Sequence, residues 1–329
     1  MAIRKKISVL LPTFNNSAYL STAIESILNQ TYTNFELIII NDGSNDNTEY
    51  ILSSYQSFDS RIKVINNKRN LGVANSLNLG INESCGEFIA RMDGDDISTP
   101  TRFEMQINFL EENPEISILG SRVDFIDEYS EKLPDYPWII PEKHNDIAWR
   151  LLFSTPICHP TIIMRKSVFS SSKSTFYDPH YKNEDMHLWS KLIFETKMHN
   201  LQEILLHYRM GINKNDTLNK ILPTQIRMIA KEYIEKIIDS KVTNRQVALI
   251  FSIFSRKGYL EEKLGFLETI EITKLLTEIF QQMFIKGVFK GNISYVTQRD
   301  FFAALDVTLS NNLKFEHLIN FDFGELKNE

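Results

Sequence analysis

The chain has 329 residues and only two cysteines, Cys85 and Cys158, neither of them in a CxxC or CxxxH pair. Zinc-type spacing is therefore absent, and a reduced, cytosolic protein is the simplest inference. Long hydrophobic runs are also missing. The start, "MAIRKKISVLLPTF", has a basic leading segment, but its apolar run is only about five residues, too short for the core of a signal peptide. No window approaches the roughly 18 apolar residues of a membrane span, so the expected location is the cytoplasm. An excess of basic charge is lacking too. The net charge is −6, which argues against a nucleic-acid binder. There is no internal repeat and no low-complexity tract.

What is present is a globular composition, 43% hydrophobic and 24% charged, so disorder is not expected. The length suits two domains, or one large domain with an extension. "KISVLLP" is a short apolar run closed by proline, hence a buried strand. "SAYLSTAIESILNQ" places Leu20, Ala23, Ile24, Ile27 and Leu28 at helical intervals, with Asn15, Asn16 or Ser17 able to cap its start. "NFELIIIND", "RIKVINN" and "EFIARM" read as further strands. Between them, "NDNTEYILSSY" and "LGVANSLNLGINES" read as helices.

Strand and helix thus alternate over about ninety residues, the pattern of βαβ units and a parallel sheet covered on both faces. Ligands in such sheets bind beyond the carboxyl ends of the strands. Three polar segments fall at such ends: Thr13-Phe14-Asn15, Asn41-Asp42-Gly43-Ser44 and Asp93-Gly94-Asp95-Asp96.

Further on, "STPTRFEMQINFLEENP" is a helix with Ser98 or Thr99 as its cap and Pro114 as its stop. "ISILGSRVDFID" reads as a strand, "EKHNDIAWRLLF" as a helix, and "TIIMRKSVF" as a strand leading into a turn. "NEDMHLWSKLIFE" reads as an amphipathic helix and "QEILLHYRM" as a strand. From Asn213 the character changes. "GINKNDTLNK" is a polar linker, and after it come helical patterns: Leu222 to Ile237, "RQVALIFSIFS", "LETIEITKLLTEIFQQMFIKGVF" and "RDFFAALDVTL". The expected division is an α/β unit over 1–215 and an α-helical region over 216–329.

Each candidate site residue has a structural explanation beside a chemical one. Hard divalent cations take oxygen ligands, few from protein, with phosphate oxygens completing the shell. Asp93 and Asp95 can hold such an ion together, or one can hold it while the other binds a ribose. Gly94 gives the turn room for a ligand to approach. The plain alternative is a solvated loop in which Asp96 precedes the next helix. Asp42 can accept a hydrogen bond from a nucleobase N–H, or simply shape a strand-to-helix turn. Phe14 can stack on a base or belong to the core. Glu184 and Asp185 begin a helix, where acidic residues suit the macrodipole. A carboxylate in such a place is also suited to act as a general base. His159 can be packed or functional. His207 or Arg209 can face a diphosphate or merely end a strand.

In order and spacing, "ISVLLPTFNN", "AIESILNQTYTNFELIIINDGSND", "NLGVANSLNLGI", "GEFIARMDGDD", "RFEMQINFLEENPEISILG", "CHPTIIMRKSVF" and "NEDMHLW" resemble the inverting glycosyltransferases of family 2, of the GT-A fold. The resemblance covers roughly residues 5 to 210 and implies a Rossmann-like, mostly parallel sheet flanked by helices. It implies that Pro12, Thr13, Phe14 and Asn15 line a nucleotide pocket and that Asp42 binds the base, commonly uracil. It further implies that Asp93 and Gly94 meet the ribose or donor, and that Asp95 ligates Mn²⁺ or Mg²⁺ on the diphosphate. Asp185 becomes the general base, with Glu184, Trp189, His159 and Arg209 shaping or supporting the acceptor side. Some members place a metal-binding histidine after a Tyr-Arg pair; "YRMGINKN" has none, and His207 precedes Tyr208.

The implied partners are a nucleotide-sugar donor, a UDP-sugar before others, and a glycan or lipid-linked acceptor in bacterial surface-polysaccharide assembly. The implied location is the cytoplasm, with peripheral contact at the inner face of the cytoplasmic membrane. Two other classes compete. A haloacid-dehalogenase-like phosphotransfer enzyme also puts Asp-x-Asp after a strand, but near the start of its domain and with a downstream lysine and acidic pair. A non-catalytic nucleotide- or carbohydrate-binding module needs no intact acidic set. The C-terminal segments "LIFSIFSRKGYLEEKLGF" and "MFIKGVFKG" mix apolar with basic residues. They suit an interfacial helix, self-association or ordinary core.

Overall fold

The computed structural model describes residues 6–134, 140–169, 176–210, 216–254 and 266–291, together with Thr297. The chain divides into two compact units, Met1–Tyr233 and Ile234–Glu329. Most of the expected linker over 211–220, and the helical pattern over 299–309, lie outside the described residues or their side chains.

The first unit opens as its apolar runs dictate. Strand β1 (Ile7–Thr13) is followed by helix α1 (Leu20–Leu28), β2 (Phe35–Asn41), α2 (Thr48–Phe58), β3 (Ile62–Asn66), α3 (Val73–Glu83) and β4 (Phe88–Arg91). β1 pairs in parallel with β2 and β4, and β2 with β3. Residues Leu37 to Ile40 of β2 are all fully buried, as expected for a strand covered on both faces. Each such side chain contributes roughly 1.5–3 kcal/mol by leaving water.

Regular alternation then ends. The two-residue strand β5 (Ile97–Ser98) precedes helix α4 (Arg102–Glu112), β6 (Ile116–Ile126), α5 (His144–Arg150), β7 (Ile163–Arg165), α6 (Glu184–Leu192) and β8 (Lys197–Arg209). A 3₁₀ turn, His159–Thr161, leads into β7. The eight strands form one sheet in the order β3-β2-β1-β4-β7-β6-β8-β5. β7 runs antiparallel to β4 and β6, β5 antiparallel to β8, and β6 parallel to β8. One apolar cluster, including Leu11, Ile24, Ile39, Phe88, Phe103, Ile107 and Leu206, packs the sheet against α1 and α4.

Two expected helix starts are displaced, each because the capping residues are used elsewhere. α1 begins at Leu20 without a side-chain cap. Asn15 and Ser17 instead bind the loop after β2: the Asn15 Oδ1 accepts the Asn45 N–H, and the Ser17 side chain hydrogen-bonds to Asp46. α4 begins at Arg102, because Ser98 belongs to β5 and Thr99 hydrogen-bonds to Leu205 of β8.

Helix α7 (Asp216–Ile238) carries the chain out of the first unit. The second unit contains α8 (Asn244–Phe254) and α9 (Phe266–Ile285). Within it Val247, Ile250, Ile253, Leu276, Ile279, Phe280, Met283, Val288 and Phe289 are buried. Most of the apolar groups in the two mixed apolar–basic segments are thus core where they are described. Leu267 and Ile285 are exposed. Among the described residues no helix is long and apolar enough to cross a membrane.

Candidate active site

A cleft of about 300 Å³ opens at the carboxyl ends of β1, β2 and β4. Its lining includes Pro12, Thr13 and Phe14 from β1 and the turn after it, Asp42 after β2, and Asp93 and Asp95 after β4. Residues distant in sequence meet because parallel strands all end at one sheet edge. Asn16, Asn70, Gly72, Val73, Ser76, Tyr208 and Arg209 complete the wall.

The end of β1 and the turn after it bring a threonine and an aromatic ring to the cleft. Thr13 is 3% exposed and its hydroxyl has no hydrogen-bond partner. Phe14 is 43% exposed, which removes the core reading and leaves a flat apolar face at the mouth. Asn15 is not in the wall. It sits at φ 54° and its Oδ1 accepts the Asn45 N–H at 2.9 Å, so it ties two loops together while Asn16 takes the lining position. Gly94 stands directly behind Thr13. A Cβ there would lie 2.9 Å from the Thr13 Oγ1 and 3.1 Å from the Asn16 Nδ2.

Asp42 is buried, and both its oxygens are used. Its Oδ1 accepts from the Asn67 amide at 2.7 Å and the Leu71 N–H at 2.9 Å. Its Oδ2 accepts the Gly72 N–H at 2.8 Å. The carboxylate therefore builds the loop that carries Asn70 and Gly72 into the wall. Gly43 completes the arrangement with φ 75°, where a Cβ would fall 2.6 Å from the Arg69 backbone.

Asp93, Asp95 and Asp96 bring one carboxylate oxygen each within 4.8 Å of one another, and no histidine joins the group among the described residues. Burial, and then the charge of Asp93, push the Asp95 carboxyl up to about 6. Burial, Asp93 and Asp95 hold Asp96 well above the usual range. The Asp96 Oδ1 accepts the Arg209 N–H at 2.9 Å, whereas its Oδ2 has no partner.

Two arginines hold this turn. The Arg91 guanidinium grips both oxygens of Asp93, one of them at 2.7 Å. The Arg209 guanidinium gives its Nε–H to the Asp95 carbonyl at 2.8 Å and its other arms to the Asp127 carbonyl and the Ser130 Oγ, with the Tyr19 ring 4.2 Å away. Arg209 lines the cleft, but with its fork directed at the protein rather than at a diphosphate. His207 lies 3.9 Å from Asp124, apart from the carboxylate group.

A second cluster is built where the 3₁₀ turn meets the start of α6. His159 Nε2 is 2.9 Å from the Tyr177 hydroxyl and Nδ1 is 3.5 Å from the Glu184 Oε1. Trp189, fully buried, stands edge-on to the imidazole at 6.0 Å, so it supports His159 rather than facing solvent. Tyr177 is fixed by reciprocal bonds between its backbone and the Asn78 amide. Burial, and then the Arg91 charge, push His159 down to about 3, so it is neutral. Burial lifts Glu184 to about 7, with Asp93 adding to the rise. Asp185, partly exposed, is raised by burial and by Glu184, while His159 works the other way. The two clusters thus lie within electrostatic reach of each other.

Sequence reasoning did not single out Arg91 or Tyr177. For Arg91 a signal existed: an arginine ending an apolar strand needs a buried partner, and Asp93 is two residues on. For Tyr177 none did, since its contacts to Asn78 and His159 are long-range.

The family model described as glycosyl transferase family 2 matches residues 8–171. A protein of Haemophilus influenzae named as an uncharacterized glycosyltransferase is 38% identical over 254 residues, 72% of this chain and 77% of that protein. The O-antigen biosynthesis glycosyltransferase WbnJ of Escherichia coli is 33% identical over 217 residues, 64% of this chain and 82% of WbnJ. Among solved structures, S. aureus TarS 1–349 in complex with UDP-GlcNAc aligns with a TM-score of 0.59 at 17% identity, over 92% of this chain and 89% of that one. At that identity the likeness is one of fold.

Proposed function

The chain belongs to glycosyltransferase family 2 and has the GT-A architecture, and on that premise we propose that it moves a sugar from a UDP-sugar to an acceptor hydroxyl, with inversion and with a divalent cation. Family membership displaces the phosphotransfer reading. The relationship to an O-antigen glycosyltransferase supports a glycan or lipid-linked acceptor in surface-polysaccharide assembly. UDP-GlcNAc in the structural neighbour supports uridine as the base.

One observation carries the metal requirement. The cleft wall contains Asp42, Asp93 and Asp95, and its single basic side chain, Arg209, is committed to protein groups. Arg91, outside the wall, offsets Asp93 only, so a diphosphate there still meets the carboxylates of Asp42 and Asp95. The carboxylate donor set fits Mn²⁺ or Mg²⁺, and the Asp96 Oδ2 beside it is a buried oxygen without a hydrogen-bond partner. Asp95 is the assigned ligand, with Asp93 on the ribose or donor side. When bound, the cation stabilises charge on the departing diphosphate, an effect worth several kcal/mol.

The chain's own residues do the rest. Pro12, Thr13 and Phe14 hold the nucleoside, and the loop built by Asp42 and Gly43 closes its other side. Asp185 accepts the proton of the acceptor hydroxyl as that oxygen forms a bond to the anomeric carbon and the carbon–diphosphate bond breaks. A positioned base of this kind contributes about 10²–10⁴-fold. Glu184, His159, Tyr177 and Trp189 fix the start of the helix that carries Asp185.

A screen of UDP-, GDP- and TDP-sugars for Mn²⁺-dependent transfer or hydrolysis tests the reading. Asp185→Asn is expected to keep UDP-sugar binding and lose most transfer. Asp95→Asn is expected to lose the Mn²⁺-dependent part of donor binding, as a chelator does in the parent protein. Full transfer by Asp185→Asn removes the base assignment. UDP binding without turnover over a broad acceptor panel favours the binding-module reading.

A further inference from the structure

Arg91 is the last residue of β4, inside the sheet between β1 and β7, and it is 5% exposed. Its backbone is pinned on both sides: its N–H donates to the Ile162 carbonyl at 3.1 Å, and its own carbonyl accepts from Arg102 Nη2 at 2.8 Å. From that fixed base the guanidinium engages Asp93 with both terminal nitrogens, while its Nε has no partner. The Asp93 side chain is 30% exposed and lines the cleft. The fork uses one lone-pair direction on each carboxylate oxygen and leaves the others for a ligand. Arg91 also acts on Glu184, Tyr177 and His159 through its charge.

A buried ion pair of this kind is poor value as stabilisation, because desolvation cancels much of the Coulomb attraction. What a two-pronged contact from a pinned backbone supplies is orientation. It also places a positive charge beside carboxylates that would otherwise repel one another out of a shared geometry. We propose that Arg91 is a positioning residue: from the end of β4 it fixes the Asp93 carboxylate in the orientation that receives the donor. The inference rests on the donor role proposed for Asp93. It assigns Arg91 no contact with substrate.

A double-mutant cycle on UDP binding in the presence of Mn²⁺, measured by calorimetry, tests it. Lysine keeps the charge but cannot form the fork, so Arg91→Lys is expected to weaken binding by about 10- to 100-fold, the cost of a displaced binding group. In an Asp93→Asn background the same change is expected to cost less than about 3-fold, since the group being positioned is already altered. Arg91→Met is expected to follow the same pattern; if it does not fold, the lysine cycle alone decides. Equal losses in both backgrounds would show a general structural role and overturn the proposal. So would undiminished binding by Arg91→Lys where Asp93→Asn is impaired. Unimpaired binding by Asp93→Asn itself would remove the donor-site reading beneath it.

Discussion

Replacing Asp42 by asparagine separates two roles that one residue can play. If its carboxylate only meets a base, the change lowers nucleotide affinity and leaves the fold alone. The geometry argues otherwise. Three donors converge on it: the Asn67 amide and the Leu71 and Gly72 N–H groups, at 2.7, 2.9 and 2.8 Å. An asparagine can keep its oxygen toward Asn67 and Leu71, but its NH₂ then faces the Gly72 N–H, donor against donor. One charge-assisted bond is lost, and two become neutral. Such bonds contribute about 1.5–3 kcal/mol each against about 0.5–1.5 for neutral ones. Gly72 is partly exposed, so water recovers some of its loss. The expected destabilisation is about 2–4 kcal/mol, read from the urea midpoint with the slope unchanged. UDP affinity should fall as well, since Asn70 and Gly72 lose their anchor. A urea midpoint within about 0.5 kcal/mol of the parent, with UDP binding lost, would refute this reasoning and return Asp42 to a purely base-contacting role.

Two further expectations follow from neighbouring features. Gly43→Ala combines a left-handed backbone with a Cβ 2.6 Å from the Arg69 main chain, so it should cost at least about 2 kcal/mol in urea; a neutral result would mean the two loops are not packed together as described. Glu184→Gln mimics the protonated acid that Glu184 already is below about pH 7, so the acid limb of kcat/KM set by Asp185 should stay in place, and a limb that moves would show that Glu184 carries charge there. The same variant tests linkage. Glu184 is lifted from 4.5 to about 7 in the fold. Its stabilising contribution is present in full below pH 4.5 and falls as pH rises through about 7, by roughly 3 kcal/mol. Stability of the glutamine variant should lack that decline.

The first half of the sheet was readable because parallel strands buried on both faces leave continuous apolar runs, and "ISVLLP" and "FELIII" have no other reasonable reading. The second half was harder. β5 is two residues long, β7 three, and their antiparallel pairing depends on strands distant in sequence, β4 and β6 for β7 and β8 for β5. The starts of α1 and α4 were misplaced for one reason. Asn15, Ser17 and Thr99 have the chemistry of helix caps but spend it on a neighbouring loop or, for Thr99, on strand β8, and local sequence cannot reveal which partner wins. At the site, the acidic positions were legible as residue types at strand ends. Their bonding was not: Asp42 reads identically whether its oxygens face a base or the Leu71 and Gly72 amides.

The crowding of Asp93, Asp95 and Asp96 has a physical resolution in how the two arginines are spent. Arg91 neutralises one carboxylate directly, oxygen for nitrogen. Arg209 does not. Its guanidinium goes to the Asp95 and Asp127 carbonyls and to the Ser130 hydroxyl, and only its backbone N–H meets an acidic oxygen, on Asp96. It therefore fixes the path of the turn while leaving most of the negative charge in place. Burial, and then the Asp93 charge, still hold Asp95 at about 6 although both arginines work the other way. A turn built only for stability would bring the second guanidinium onto the carboxylates, where the repulsion is largest. Holding the backbone and sparing the carboxylate oxygens instead keeps the turn in shape, as the metal role proposed for Asp95 requires.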